Sequence, residues 1–503
     1  MANRSDVIVV GAGLGGLAAA ATLARAGRHV RVFERHVQPG GYATTFCRGG
    51  YEFEVSLHAL SGVGRPGQPG PLQRLLEELG VASLVELLPI APLYRSVAPG
   101  LDLRIPVGVD AAYEALAERF PAERAGLARV LAELVAIGEQ ADQAGAGGHL
   151  PSTLEALTRY PKLAHAALVT LGSLLDRELT DPLARLALGQ LWGYFGVPPS
   201  RCSLLYAAVG ISGYLRWGAC YPRGKSQSLS NALARVVEEA GSTVTLGCGV
   251  RRIVVEGGRV AGVITDDGQR WDAPVVVSNA SPQITCLELL GAEQVPAAYL
   301  RRLAVQEPSL GSLCVYLGLD ADHEALGLTD HEVFVNVSAD MDAHYRSYLR
   351  PEPPEAFLMG CYDATVPGFS PPGRSTVVLV SLADGAAWAR LPPTEYLATK
   401  TRLAEHLVGE AEKLFPGMSD HIAVAVVSTP ITNMRYTGHP GGAIYGFANV
   451  PAQNPGWRLE QRGPVPGLWL AGAWTRPGGG YQPCMMSGHG AARAILATRQ
   501  HGR

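Results

Sequence analysis

Charge is scarce and evenly divided in this chain: 17% of its 503 residues are charged, 42 Lys and Arg against 45 Asp and Glu, for a formal net charge of −3. The basic field that nucleic acid requires is missing, which excludes a nucleic-acid partner. The eight cysteines form no C-x-x-C pair and no Cys/His cluster at zinc spacing. They read as reduced thiols of a cytoplasmic protein with no metal site. No run reaches about 18 uninterrupted apolar residues, so no transmembrane span is expected. A strand pattern begins as early as Val7, which predicts no signal peptide. Disorder and a collagen-like repeat are excluded by a 47% hydrophobic content and the lack of a glycine period.

Glycine is what the chain holds in excess, with 60 residues, about 12% against a usage near 7% in ordinary proteins. The length suits roughly three bodies of ~150 residues. Val7-Ile8-Val9-Val10 is the apolar, β-branched run expected of a strand covered on both faces. Gly11-Ala12-Gly13-Leu14-Gly15-Gly16 follows, then an alanine-rich helix closed by Gly27 and a second strand, His29–Phe33, ending at Glu34. This is a βαβ dinucleotide fingerprint. Gly11 permits the tight turn, Gly13 admits a pyrophosphate against the backbone, Gly16 lets helix and strand pack closely, and Glu34 is placed to accept from an adenosine ribose. A glycine cluster alone would signal only a turn, but here strand, helix, second strand and terminal acid agree. Glu34 by itself suits NAD and FAD equally.

Pro39-Gly40-Gly41-Tyr42-Ala43-Thr44-Thr45 resembles the GG-x-x-x-[ST] extension of FAD-dependent oxidoreductases of the amine oxidase and phytoene desaturase type. Gly467 to Gly480 reads as a strand and a glycine-rich loop, with a helix expected from about Ser487, and looks like the flavin-side motif of those enzymes. Leu246 to Val263 reads as strands joined by a Gly257-Gly258 hairpin turn, and Asp272 to Ala280 as a further buried strand. Tyr221-Pro222-Arg223-Gly224-Lys225 resembles the YPRGG segment of the phytoene desaturase, carotenoid isomerase and retinol saturase group, and Arg435 to Phe447 resembles a segment of its bacterial members. Lys225 replaces a usual glycine, Ser56 stands where glycine is common ahead of His58, and Gln482-Pro483-Cys484 replaces a small stretch beside the flavin.

The resemblance implies an α/β fold: a discontinuous Rossmann-like FAD-binding domain of amine-oxidase type (residues 1–95, 220–292 and 428–503), interleaved with a mixed α+β substrate domain carrying a helical lid (96–219 and 293–427). It implies FAD contacts from Gly11, Gly13, Leu14, Gly15, Gly16, Glu34, Arg35, Gly40, Gly41, Tyr42, Ala43 and Thr44 at the start of the chain. Val250 and Asn279 join them from the middle, and Gly472, Ala473, Gly480 and Tyr481 from the end. His58 stands where relatives carry histidine near the pocket; it reads either as an acid or base that moves a proton or as a structural, loop-bonded histidine. Tyr445, with Tyr481 and Trp474, walls the isoalloxazine on one reading and is plain core on the other. Arg223 pairs either with phosphates or a substrate carboxylate, or with a surface acid. Cys484 is read as a buried packing thiol, with a covalent flavin link as the lesser alternative.

Residues from about 95 to 220 read as helices with a break at Pro161, and residues from about 295 to 425 as strands with a helix near Tyr396 to Phe415. Gly145 to Gly148 and Pro351 to Pro354 have loop composition. The apolar stretch Tyr160 to Leu175 lacks the basic face of an interfacial helix, so a buried helix is favoured over a peripheral membrane contact. With a single G-x-G-x-x-G and no second nicotinamide site, electrons are expected to pass to or from oxygen, a quinone or a diffusible donor, unless the reaction is redox-neutral. The leading expectation is an FAD-dependent oxidoreductase that desaturates, saturates or isomerises a lipophilic polyene of carotenoid, retinoid or polyketide type, free or carrier-bound. An amine oxidase acting on a C–N bond and a non-catalytic flavin-binding or carrier-associated protein are the alternatives. The bias toward Ala, Arg and Gly suggests a high-GC bacterial source and specialised metabolism.

Overall fold

The structure is a computed structural model that describes residues 3–65, 67–146, 153–453 and 458–500. Gly147 and Gly148 of the expected glycine loop lie outside the described residues, while Gly145 and Ala146 end the helix Arg124–Ala146. Val7–Val10, buried at all four positions, is the central strand of a five-stranded parallel sheet in the order 243–245, 30–33, 7–10, 276–278, 468–470. Strands from the start, the middle and the end of the chain therefore share one sheet. The first helix, Leu14–Arg25, packs along the last, Tyr481–Gln500, and against Lys225–Glu239. Its run of alanines, all fully buried, lets the helices approach closely.

A seven-stranded sheet runs in the order 101–105, 94–98, 332–336, 356–360, 375–383, 311–319, 422–428, antiparallel except where 94–98 lies beside 332–336. Side chains alternate between its faces. Leu313, Val315 and Leu317 pack with Leu403 and Leu407 of the helix Pro393–Leu414, while Cys314, Tyr316, Phe334 and Leu358 belong to the central core and line the internal cavity. One face of the sheet is thus a packing surface and the other a cavity wall.

Two expectations require correction. The segment from 95 to 220 is not wholly helical: Tyr94–Ala98 and Leu101–Ile105 form a hairpin of the seven-stranded sheet, because Gly100 (φ +79°) turns two alternating apolar runs back on one another. The last helix begins at Tyr481 rather than near Ser487. Proline is tolerated in a first turn, so Pro483 does not delay it. The Ser487 hydroxyl instead accepts from the Gly472 amide at 3.1 Å and pairs with Thr475 Oγ1 at 2.6 Å. Pro161 does break the helical run, opening the helix Pro161–Ala166.

Lys225 is the one described non-glycine residue with positive φ, +62°, and it is buried. Its Nζ donates to Glu52 Oε2 at 2.9 Å and to the Phe369 carbonyl at 3.1 Å, which ties the hairpin Thr45–Glu54 to the segment at Phe369. The ammonium offsets a left-handed backbone that costs an L-residue roughly 1–2 kcal/mol. Lys225→Ala keeps the strain and loses the bonds, whereas Lys225→Gly loses only the bonds. Alanine is expected to be the less stable variant by about 1 kcal/mol in urea unfolding, and equal midpoints would show that the backbone is unstrained.

Candidate active site

A cavity of about 2060 Å³ extends from the carboxyl ends of the parallel strands to the inner face of the seven-stranded sheet. Pockets for one small ligand usually measure ~300–1,000 Å³, so this space suits a long cofactor and a long substrate together. At its glycine end, three chain segments meet within van der Waals distance. A Cβ on Gly13 would lie 2.4 Å from Asn279 Nδ2, and one on Gly15 would lie 2.6 Å from Asn279 Oδ1 and 2.7 Å from the Gly472 backbone. Gly16 faces the Gly11 carbonyl, where a Cβ would come to 2.1 Å. The first helix has no side-chain cap at Gly13, which leaves its leading N–H groups free for an anion. Glu34 accepts from the Ala12 amide at 2.7 Å and the His36 amide at 2.8 Å, which fixes its carboxylate on the cavity wall.

The cavity wall brings together most of the residues singled out in the sequence: Gly11, Gly13, Leu14, Gly15, Glu34, Arg35, Gly40, Gly41, Tyr42, Ala43, Val250, Asn279, Gly472, Ala473, Gly480 and Tyr481, with His58 and Tyr445. Two stand behind it. Gly16 sits at the helix–strand contact, and Thr44 is bonded to Gln38 and, at 2.7 Å, to Gln227. Arg223 is not on the wall: it pairs with Glu86 at 2.6 Å on the surface. Cys484 is on the wall, where burial pushes its thiol up to about 12, so it is a thiol and not a thiolate. Trp474 Nε1 is buried without a hydrogen-bond partner among the described residues and Trp474 lines the cavity, an unspent donor beside the Gly472 turn. A helix terminus without a cap, glycines at the contact points and an unspent donor fit an extended dinucleotide.

Beyond the glycine end the chamber is aromatic. His58 Nδ1 lies 2.6 Å from the Tyr362 hydroxyl, and its ring stacks on Tyr194 with centroids 6.1 Å apart. Burial, reinforced by neighbouring His331, pulls His58 down to about 3, which keeps it neutral and unsuited to donate a proton as imidazolium. Tyr445 donates to the Gly193 carbonyl at 3.4 Å, and a Cβ on Gly479 would lie 2.4 Å from the Tyr445 carbonyl. Tyr445 thus joins the glycine loop 478–480 to the chamber.

Three groups here escaped the sequence reading. Glu332, 2% exposed, is hydrogen-bonded to the Tyr194 hydroxyl, and burial raises its carboxyl to about 8. The available signal was period two: Glu332, Phe334 and Asn336 share one face of their strand. Gln190 and Asn336 form a second buried polar pair on the wall, with Asn336 Nδ2 donating to Gln190 Oε1 at 3.0 Å. Arg458, fully buried, donates to the carbonyls of Phe447 (3.0 Å) and Ala473 (3.1 Å) and to Asn449 Oδ1 (2.9 Å), a clamp that no local motif announces.

A parallel sheet that opens into a glycine-walled cavity with an aromatic chamber beyond it defines a flavin-dependent oxidoreductase. The chain belongs to the family of flavin containing amine oxidoreductases, whose profile matches residues 14–496. It is 28% identical to the all-trans-retinol 13,14-reductase of Macaca fascicularis, over 93% of this chain and 82% of that protein. It is 25% identical to the chloroplastic prolycopene isomerase of Arabidopsis thaliana, over 98% and 82% respectively. Among solved structures, an oxidoreductase from Methanosarcina mazei superposes with a TM-score of 0.64 at 17% identity, covering 98% of this chain and all of that one, a likeness of fold.

Proposed function

We propose that this chain is an FAD-dependent oxidoreductase acting on carbon–carbon double bonds of a lipophilic polyene. The observation that carries the reading is the continuity of one cavity from the glycine cradle into a chamber walled by Phe334, Leu358, Val380 and the tyrosines. FAD, rather than a shorter flavin, is supported by the cavity's reach to Glu34 and Val250, where an adenosine would lie. The residues on the wall at the glycine end are its binding residues in this reading. Bound flavin supplies hydride exchange at N5. The chain's own part is to hold a C=C bond against that position and to keep water out.

Retinol and prolycopene, named in the relatives, are long and apolar, and the dimensions of the chamber suit such molecules. The cavity is bordered by Leu157, Leu168 and Val209, which are 60%, 71% and 41% exposed. This apolar rim supports entry of substrate from a membrane surface or a carrier, and it reverses the sequence preference for burial at Leu168. No described helix is long and apolar enough to cross a membrane. The interleaved division of the chain (1–95, 220–292 and 428–503 against 96–219 and 293–427) is part of the proposal. It is supported by the parallel strands falling in the first set and most of the seven-stranded sheet in the second.

The purified protein is expected to absorb near ~375 and ~450 nm and to release FAD on acid precipitation. Under anaerobic conditions, photoreduced and oxidised enzyme would be mixed with a retinoid and carotenoid panel while flavin redox state and products are followed. Turnover of a polyene is expected. Inertness toward all polyenes, with flavin reduction by amines, would sink the reading.

A further inference from the structure

Glu332 is a buried carboxyl that flavin binding does not use, and its surroundings are aromatic instead of cationic. Its only hydrogen-bonding partner among the described residues is the Tyr194 hydroxyl. Tyr194 lines the cavity, stacks on His58 and adjoins Gly193, whose carbonyl accepts from Tyr445. Tyr445 in turn abuts Gly479 of the flavin-side loop. A phenol thus stands at the chamber wall with a carboxyl behind it, and the residue before it, Gly193, is bonded through its carbonyl to Tyr445, whose backbone lies against the glycine loop. Exchange of hydride across a double bond leaves the adjacent carbon needing a proton, and in a chamber walled by aromatic and aliphatic side chains a protonated side chain beside the substrate is placed to deliver it.

We propose that Tyr194 and Glu332 form the proton-delivery pair of the double-bond chemistry, Tyr194 facing the polyene and Glu332 resupplying it. In the saturating direction the Tyr194 O–H bond breaks and a C–H bond forms at the carbon next to the one that receives hydride from reduced flavin. The phenolic oxygen takes the proton of the Glu332 carboxylic acid, and solvent reprotonates the carboxylate. The C=C bond becomes C–C and the flavin is oxidised. Desaturation runs the same path backward, the proton passing from the polyene through Tyr194 to the carboxylate.

The groups around Glu332 suit a reservoir. Tyr194, Tyr214, Tyr362 and Tyr445 are held protonated by burial, and His58 and His331 are held neutral. On the adjoining strand, Arg95 is bound to Asp102 and Asp330. With no cation on it, the carboxyl keeps its proton to about 8. The proposal rests on the polyene reading, and the test separates the two. Glu332→Gln, Glu332→Asp and Tyr194→Phe would be made in the flavin-loaded enzyme. All three are expected to retain the wild-type flavin spectrum. Reoxidation of photoreduced flavin by a polyene that the wild type accepts should fall at least ~100-fold in Glu332→Gln and Tyr194→Phe, with partial recovery in Glu332→Asp. Wild-type rates should decline above pH ~8, and this limb should vanish in Glu332→Gln. Independent of turnover, the infrared difference between wild type and Glu332→Gln at pH 7 should show a protonated carboxylic C=O band. Wild-type rates in both variants, or an ionised Glu332 in the infrared, would overturn the pair while leaving the polyene reading intact. A wild type that accepts only amines would overturn both.

Discussion

A Gly15→Val variant is expected to purify without flavin and to unfold well below the parent. The added Cβ would stand 2.6 Å from Asn279 Oδ1 and 2.7 Å from both the Cα and the N of Gly472. Gly472 offers backbone, which cannot rotate away, so the side chain wedges the first helix from the turn that follows the last parallel strand. The opposite side is no freer: the Gly15 carbonyl lies 1.9 Å from where a Cβ on Gly488 would stand, at the contact of the first and last helices. Overpacking of this kind costs about 1–3 kcal/mol where the neighbours can shift, and more where they are backbone. The same displacement removes the free N–H groups of the first helix from the cavity. Flavin per chain from the visible spectrum and a thermal melt would measure the two consequences. Gly409→Ala is the control, because Gly409 lies within the helix Pro393–Leu414 with nothing within 4 Å of its Cβ position. That variant should keep its flavin and gain ~0.5–1 kcal/mol. Full flavin occupancy in Gly15→Val would show that the cradle lies elsewhere.

The contrast between Gly15 and Glu332 explains which parts of the site were legible in the sequence. Gly11 to Gly16 is a contiguous run whose spacing reports a backbone requirement directly, and the strand before it and Glu34 after it fix its context. Asn279 and Gly472 could be placed beside it only through family resemblance, since nothing local says that strands 276–278 and 468–470 join strand 7–10. The chamber is another matter. Tyr194 comes from a short helical turn, Glu332 from a strand, His58 from a loop and Tyr362 from a single turn after strand 356–360. Their proximity depends on the pairing of strand 332–336 with 356–360 and, above all, with 94–98, a parallel contact more than two hundred residues away in sequence for which no local pattern exists. The hairpin Tyr94–Ile105 was missed for a related reason: its two strands are short and precede a long helical stretch that dominated the reading. Exposure at Leu168 was equally illegible, because the apolar run Tyr160 to Leu175 reads as one buried helix, whereas Leu168 lies in the turn between the helices Pro161–Ala166 and Leu171–Glu178.

Between pH 4.5 and 8, wild-type protein is expected to lose stability relative to Glu332→Gln, by roughly 3–5 kcal/mol in all. Burial raises the Glu332 carboxyl from 4.5 to about 8, so the folded chain holds a proton that the unfolded chain has released. Folded protein therefore binds more protons than unfolded across this interval, and stability falls as pH rises. The contribution is fully present below 4.5 and gone above about 8. Wild type alone would not reveal it, because buried histidines act in the opposite sense over part of the range. His58 and His331 are pulled from 6.5 to about 3 and about 4, so stability is lost as pH falls below 6.5. Those histidines are unchanged in Glu332→Gln and cancel in the comparison, leaving the carboxyl alone. Urea midpoints of both proteins at pH 5, 6, 7 and 8, on apoprotein so that flavin binding does not enter, should diverge steadily, the variant gaining on the wild type. Parallel curves would mean that Glu332 ionises in the fold as it does in water, which a buried carboxyl bonded to a tyrosine and paired with no cation among the described residues should not do.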